Sequence, residues 1–476
     1  MSSHAESKRW WTLGVLCLGV LMIVLDTTIV NVALPSIRAE LHFSETSLVW
    51  VVNAYMLTFG GSLLLGGRLG DLYGHRRLFM TGLAVFSIAS LACGLAGSAT
   101  LLVAARAVQG VGGALVSAIS LSLIMNLFPE PAGRAKAMGV YGFVCAGGGS
   151  IGVLLGGVLT GAFNWHWIFL VNVPIGVAVF ALCMALIPRS DGHPPRDGLD
   201  VPGAVTVTAA LMIAVYAVVN GNEAGWTSVQ TLALLAVAAA LLAAFVAIES
   251  RVRSPLMPLG LFRLRSVAAS NVIGVLWAAA MFAWFFISAL YLQRVLGDDA
   301  MQVGLAFLPS NLIMGAFSLG LSARIVMRFG IRAPLATGLL LAALGLALFA
   351  RAPVDGRFAT DVLPGMLLLG LGAGLAFNPL LLAAMSEVDA RDAGLASGVV
   401  NTAFMMGGAL GLAVLASLAA AHTATSAAGM DATAALAAGY GLAFGAGALF
   451  AVAAAAIGFA FLPARALPAD ATAPPH

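Results

Sequence analysis

Apolar residues fall in long unbroken stretches that recur from near one end of the chain to the other, each closed by a short loop holding the charges. A helix rises about 1.5 Å per residue and a bilayer core is about 30 Å thick, so roughly 20 apolar residues cross it. The pattern predicts fourteen spans: 11–34, 48–67, 78–97, 101–124, 137–160, 166–187, 201–219, 229–248, 267–292, 302–323, 333–350, 361–385, 394–420 and 437–462. The fold class expected is therefore an all-α polytopic membrane protein, with both termini on the same side of the bilayer. Lys8 and Arg9 followed by an apolar run have the look of a signal peptide, but no small-residue cleavage pattern ends that run, and it is read as an uncleaved first span.

Composition sharpens the picture. Of 476 residues, 61% are hydrophobic and only 9% charged, against about 25% charged in soluble domains. Sorted by alternate loops, eighteen Lys and Arg residues share the side of the N-terminus and four (Arg38, Arg294, Arg351 and Arg357) lie opposite, with Arg106 inside a span. By the positive-inside rule the Arg-rich side is cytoplasmic. The net charge of +3 is scattered through short loops, without the concentrated footprint that nucleic acid binding needs. Cys17, Cys93, Cys145 and Cys183 all lie in apolar segments, where they read as small core residues rather than disulfide or metal positions. Neither lysine belongs to a phosphate-binding Gly-Lys-Ser/Thr loop, and no cluster of nucleophiles, acids or metal ligands suggests an enzyme or a cofactor. Any energy source is an ion gradient or the substrate itself.

The chain repeats internally. GRLGDLYGHRR (67–77) matches ARIVMRFGIRA (323–333) at a spacing of 256 residues, pairing Arg68 with Arg324, Gly74 with Gly330 and Arg76 with Arg332. Such repeats in transporters bracket a binding site near the bilayer midplane. The expected domains are an N-terminal six-helix bundle (1–187), an inserted two-helix hairpin with an interfacial cytoplasmic linker (188–266), a C-terminal six-helix bundle (267–462) and a disordered tail (463–476).

Two charges break the apolar pattern. Asp26 sits in VLMIVLDTTIVNVALP (20–35) and Arg106 in the fourth span. An ionised Asp at a helix centre costs about 2.5–3.5 kcal/mol on insertion scales, so such residues usually face the interior and mark ion or proton pathways. Counting 1.5 Å per residue places both at similar depths, about 13 Å and about 10 Å from the outer side. A neighbouring Arg favours the carboxylate and burial favours the acid, so a carboxyl between them can titrate as its surroundings change. Arg106, Gln109, Gly110 and Gly113 share one helix face. Thr27, Asn31, Asn53 and Tyr55 are further candidates for a cavity, with interhelical hydrogen bonding the equal alternative. Gly148, Gly152 and Gly156, then Gly407 and Gly411, recur at fourfold spacing and suit close helix packing, while Asn378-Pro379 should loosen the twelfth span.

LDTTIVNVALP (25–35), GRLGDLYGHRR (67–77), RAVQGVGGA (106–114) and NWHWIFLVNVPIG (164–176) together resemble signatures of the major facilitator superfamily, and within it the fourteen-spanner drug:proton antiporters. The resemblance runs nearly end to end. It implies two six-helix bundles plus two inserted helices, alternating access, a monomer in the bacterial inner membrane, and proton coupling through Asp26 and Arg106. It also implies a cytoplasmic latch of Gly67, Asp71, Gly74 and Arg76, single because Met327 stands opposite Asp71. The sequence departs from the family at Gly152-Val153, where Gly-Pro is usual, and at Phe404 and Met405 after Asn401-Thr402-Ala403, where Arg and Gln are common. A more apolar C-terminal half follows, with Phe282, Phe285, Phe286, Phe404, Met405 and Met406 either lining a cavity or packing in the core. The expected function is proton-coupled export of lipophilic or amphipathic toxic compounds. The alternatives are a dedicated exporter of one metabolite, lipid or siderophore, and, more remotely, a membrane protein that transports nothing.

Overall fold

The computed structural model describes residues 3–44, 46–128, 130–187, 200–252, 255–317, 321–388, 393–427 and 429–463, and among these there are no strands. The helices are α1 (Ser3–Leu41), α2 (Trp50–Tyr73), α3 (His75–Gly94), α4 (Ala99–Leu127), α5 (Pro131–Ala162), α6 (Trp167–Leu170), α7 (Asn172–Leu186), α8 (Val201–Ala224) and α9 (Val229–Glu249). They continue with α10 (Arg265–Arg294), α11 (Ala300–Ala316), α12 (Ser322–Phe329), α13 (Arg332–Phe349), α14 (Leu363–Met385), α15 (Ala393–Ser426) and α16 (Ala432–Phe461). Among the described residues twelve helical stretches are long and apolar enough to cross a membrane. The two remaining predicted spans fall on α5 and α11, whose described apolar stretches, Ile151–Ala162 and Ala300–Ala316, are shorter. Residues 464–476 of the expected tail lie outside the described residues.

Two spans differ in form from the sequence expectation. The first continues through Pro35 to Leu41 instead of stopping at the proline, since one proline withholds a single i to i−4 hydrogen bond and the flanking turns carry the helix past it. The sixth is broken at Val171 into α6 and α7. Its start is pinned from outside: Trp165 Nε1 donates to Glu40 Oε2 at 2.8 Å, and His166 Nδ1 lies 3.0 Å from the carbonyl of Gly94.

In the first half α1 packs on α5 and α7, and α4 on α2 and α3. In the second, α10 packs on α15 and α16, and α13 on α14 and α16. Small residues make these approaches possible. A Cβ at Gly148 would stand 2.9 Å from Leu21 Cδ1, one at Gly152 would collide with Thr28 Oγ1, and one at Gly156 would stand 2.7 Å from the carbonyl of Ile29. The second half uses the same device, with Gly407 against Val275 and Gly411 against Ala279.

The internal repeat is visible in backbone and side chains. Gly74 and Gly330 both have positive φ, 88° and 79°, a region that glycine enters without penalty, and each ends a helix so that the next can fold back. Two residues on, Arg76 Nη2 donates to the carbonyl of Met184 at 2.9 Å and Arg332 Nε to that of Leu462 at 2.9 Å. Each arginine thus caps the last helix of its own half. Gly82 and Gly338, also 256 residues apart, lie against the carbonyls of Gly112 and Gly372 where α3 crosses α4 and α13 crosses α14.

The halves meet along α5–α11, α2–α15 and α1–α10. At the Arg-poor end Gln293 Nε2 donates to the carbonyl of Val32 at 2.9 Å, and Gly157 would place a Cβ 2.7 Å from the carbonyl of Ala300. That end is closed between the halves. The α8–α9 hairpin lies at the α2–α15 seam: Asn222 Nδ2 donates to the carbonyl of Ser417 at 2.8 Å, and Gly61 of α2 faces Thr208. The linker after it does not lie with all its apolar residues outward, since Leu256 is buried and Met257 packs beside Val207, Phe245 and Met406.

These glycine contacts predict that Gly411→Val lowers stability by about 1–3 kcal/mol, the usual range for overpacking. Gly14→Ala, where no atom stands within 4 Å of the added carbon, should leave it unchanged. Thermal unfolding of the purified protein in detergent measures both.

Candidate functional site

Asp26 is fully buried, and its carboxylate is held by three donors from two other helices. Arg106 Nη1 reaches Oδ2 at 2.5 Å; Gln109 Nε2 and Asn172 Nδ2 reach Oδ1 at 2.7 and 3.0 Å. Arg106 and Gln109 are one turn apart on α4, which aims both at α1. Asn172 is the first residue of α7, so the break at Val171 sets its place. A second ring of contacts fixes the donors. Arg106 Nε donates to the carbonyl of Val51 at 2.9 Å and Nη1 to Gln109 Oε1 at 2.7 Å, while Gln109 Nε2 also reaches Ser90 Oγ at 2.8 Å. The guanidinium lies 4.5 Å from the ring centre of Tyr55 and 5.6 Å from that of Phe169, which adds a cation–π attraction in a dry site.

Chemically, both carboxyl oxygens of Asp26 meet donors. Each of these three partners donates to Asp26, and Arg106 alone among them carries a full positive charge. The carboxyl group of Asp26 thus ties α1 to α4 and α7. In the conformation seen, the site has no exposed surface, with Asp26 at 0% and Arg106 at 1%. The α4 face carrying Gly110 and Gly113 does not border open space. Those glycines admit α2, whose Tyr55 and Thr58 fill the room that side chains would take.

Other sequence candidates separate into groups. Thr27 Oγ1 donates to the carbonyl of Val24 at 2.9 Å and Asn31 Nδ2 to that of Thr27 at 3.4 Å, both within α1 and not between helices. Asn53 is fully buried with both amide atoms unpaired, and the Tyr55 hydroxyl is unpaired as well. Phe282 and Phe377 meet Phe404 edge-on, each at 5.9 Å, and Met405 lies over Gly60 of α2. Phe285 turns away from that group and stacks on Phe307 at 5.5 Å. Asn378 and Asn401 are half-buried on α14 and α15. Of the latch residues, Gly67 has open space about it, Gly74 makes the turn and Arg76 holds α7, whereas the side chain of Asp71 lies outside the described residues. Sequence reasoning missed Asn172 and Ser90. Both are polar residues inside apolar spans, which is the signal that singled out Asp26.

A family model described as Major Facilitator Superfamily matches residues 16–412. The chain is similar to the cephamycin export protein of Amycolatopsis lactamdurans, 39% identical over 402 residues covering 84% of this chain and 82% of the relative. It is similar also to the puromycin resistance protein of Streptomyces alboniger, 38% identical over 412 residues, 86% of this chain and 82% of the relative. A third relative, the methylenomycin A resistance protein of Streptomyces coelicolor, is 34% identical over 400 residues, 84% and 83% of the two chains.

Removing one member of a buried ion pair strands the other, at roughly 3–5 kcal/mol, whereas removing both is often neutral. Arg106→Met alone should therefore lower the thermal midpoint sharply, and adding Asp26→Leu should restore most of it. Calorimetry of the detergent-solubilised variants provides the check; additive losses would contradict the pairing.

Proposed function

We propose, for a chain that belongs to the Major Facilitator Superfamily and is a drug efflux transporter of that family, a proton-coupled export cycle for lipophilic or amphipathic toxic compounds. Two six-helix bundles, 1–187 and 267–462, rock against each other in a bacterial inner membrane with both termini cytoplasmic. The observation that supports coupling is the sealed carboxyl group: Asp26 is wholly buried and joins α1 to α4 and α7 through an ion pair with Arg106 and hydrogen bonds from Gln109 and Asn172. A proton entering from outside neutralises Asp26 and frees Arg106; its departure to the cytoplasm restores the network. The Arg-poor closure between Val32 and Gln293 belongs to the half-cycle in which the outer side is shut.

The substrate class follows from relatives named for antibiotic export or resistance and from the apolar group of Phe282, Phe377 and Phe404 in the C-terminal half, beside which Met405 meets α2 across the seam. Apart from Asp26 no acid lies deep in a span, which favours neutral or monocationic compounds over dications. Several relatives are named for one compound each, so export of a single dedicated metabolite is the second reading.

In vesicles of reconstituted protein with an imposed proton gradient, the wild type should move substrate uphill and stop when a protonophore collapses the gradient. Asp26→Asn should fall to the level of empty vesicles while still binding substrate. Unchanged uphill transport by that variant would refute the coupling. A panel spanning antibiotics and cell-made metabolites separates broad efflux from a dedicated exporter.

A further inference from the structure

The α8–α9 hairpin closes, at the Arg-rich end, on two carboxylic acids that export through Asp26 does not use. Asp200 caps the start of α8, its Oδ1 accepting from the backbone N–H of Gly203 at 2.8 Å. Glu249 ends α9, its Oε2 accepting from the N–H of Met257 at 3.1 Å. They are 2% and 4% exposed. These bonds employ one oxygen of each acid. The other two, Asp200 Oδ2 and Glu249 Oε1, are buried without a donor. Both face Gly203: a Cβ there would collide with Asp200 Oδ2 and lie 2.9 Å from Glu249 Oε1. The two unpaired oxygens thus border the same small space beside Gly203.

Burial and mutual repulsion both disfavour a second negative charge at such a site. Their neighbours supply no remedy among the described residues. Arg251 is exposed; α8 adds only Tyr216 and Glu223, near its other end; α15, packed on α8, carries only His422, also far along the helix. On α2 the side chains of Arg68 and Asp71 are outside the described residues, as are Arg196 and Arg253. One proton on either acid turns the facing acceptors into an O–H···O⁻ bond, a short and strong type.

We propose that Asp200 and Glu249 form a second proton-binding site, one proton shared between two carboxyl groups, separate from Asp26. The shared proton ties the start of α8 to the end of α9. Through the Met257 N–H it also fixes the connector that leads to α10. Losing it sets two negative charges face to face and loosens that connector, so the hairpin at the α2–α15 seam answers to pH on the Arg-rich side.

Infrared spectroscopy of the full-length protein in lipid nanodiscs tests this directly. At neutral pH the wild type should show the carbonyl stretch of a protonated carboxylic acid, shifting on deuterium exchange and titrating away as pH rises. Glu249→Gln, whose amide can donate to Asp200 permanently, should lose the band and stay monodisperse. Asp200→Asn should lose it too, and serves if the first variant fails to fold. Asp26→Asn should retain it. A wild type without the band, as when a bound cation takes the proton's place, or a band that survives both substitutions, overturns the proposal.

Discussion

A carboxylate and a guanidinium 2.5 Å apart, both out of reach of water, set the terms for the rest of this molecule. Neither charge is tolerable alone among apolar helices. Their attraction offsets desolvation only with good geometry and further hydrogen bonds, and the site supplies both: Gln109 and Asn172 complete the carboxylate, Val51 and Tyr55 the guanidinium. Residues from α1, α2, α3, α4, α6 and α7 converge there. A buried pair of this kind is a weak source of stability and a strong source of state dependence, since a single proton removes the reason for the arrangement.

The surrounding fold makes that dependence useful. Glycines at the α1–α5 and α10–α15 crossings bring backbones into direct contact within each half, and close-packed interiors of this kind transmit strain. Between the halves the contacts are fewer in kind: a side-chain amide on the Val32 carbonyl, glycines of α5 and α11 back to back, and methionines of α15 over α2. The carboxylate sits on α1, the helix that contacts α5 and α7 within its half and α10 across the seam. A change at Asp26 therefore has a short mechanical route to the closure at the Arg-poor end.

Much of this was legible in the chain because a membrane span tolerates few polar residues, so each one stands out. Asp26, Arg106 and Gln109 were found by that rule, and the threefold spacing of the latter two put them on one face. Helix faces alone do not say what lies opposite, which is why Gly110 and Gly113 read as a cavity wall though α2 fills that space. Thr27 and Asn31 share the arc of Asp26 but bond to their own backbone, an option that sequence does not distinguish from ligand contact. Asn172 depended on the break at Val171, which Pro174 marks by withholding the N–H that would bond the Leu170 carbonyl, though the sequence does not say where Asn172 then points. The glycine repeats were legible as packing devices in general; their partners, Ile29 or Ala279, needed the fold.

The central claim is that Asp26 exchanges a proton when substrate binds. Mixing purified protein with a transported compound in weakly buffered detergent solution, with a pH-indicator dye present, measures that exchange without a membrane or a gradient. The account predicts proton release by the wild type and none by Asp26→Asn at equal substrate occupancy. Equal release from both proteins would contradict it.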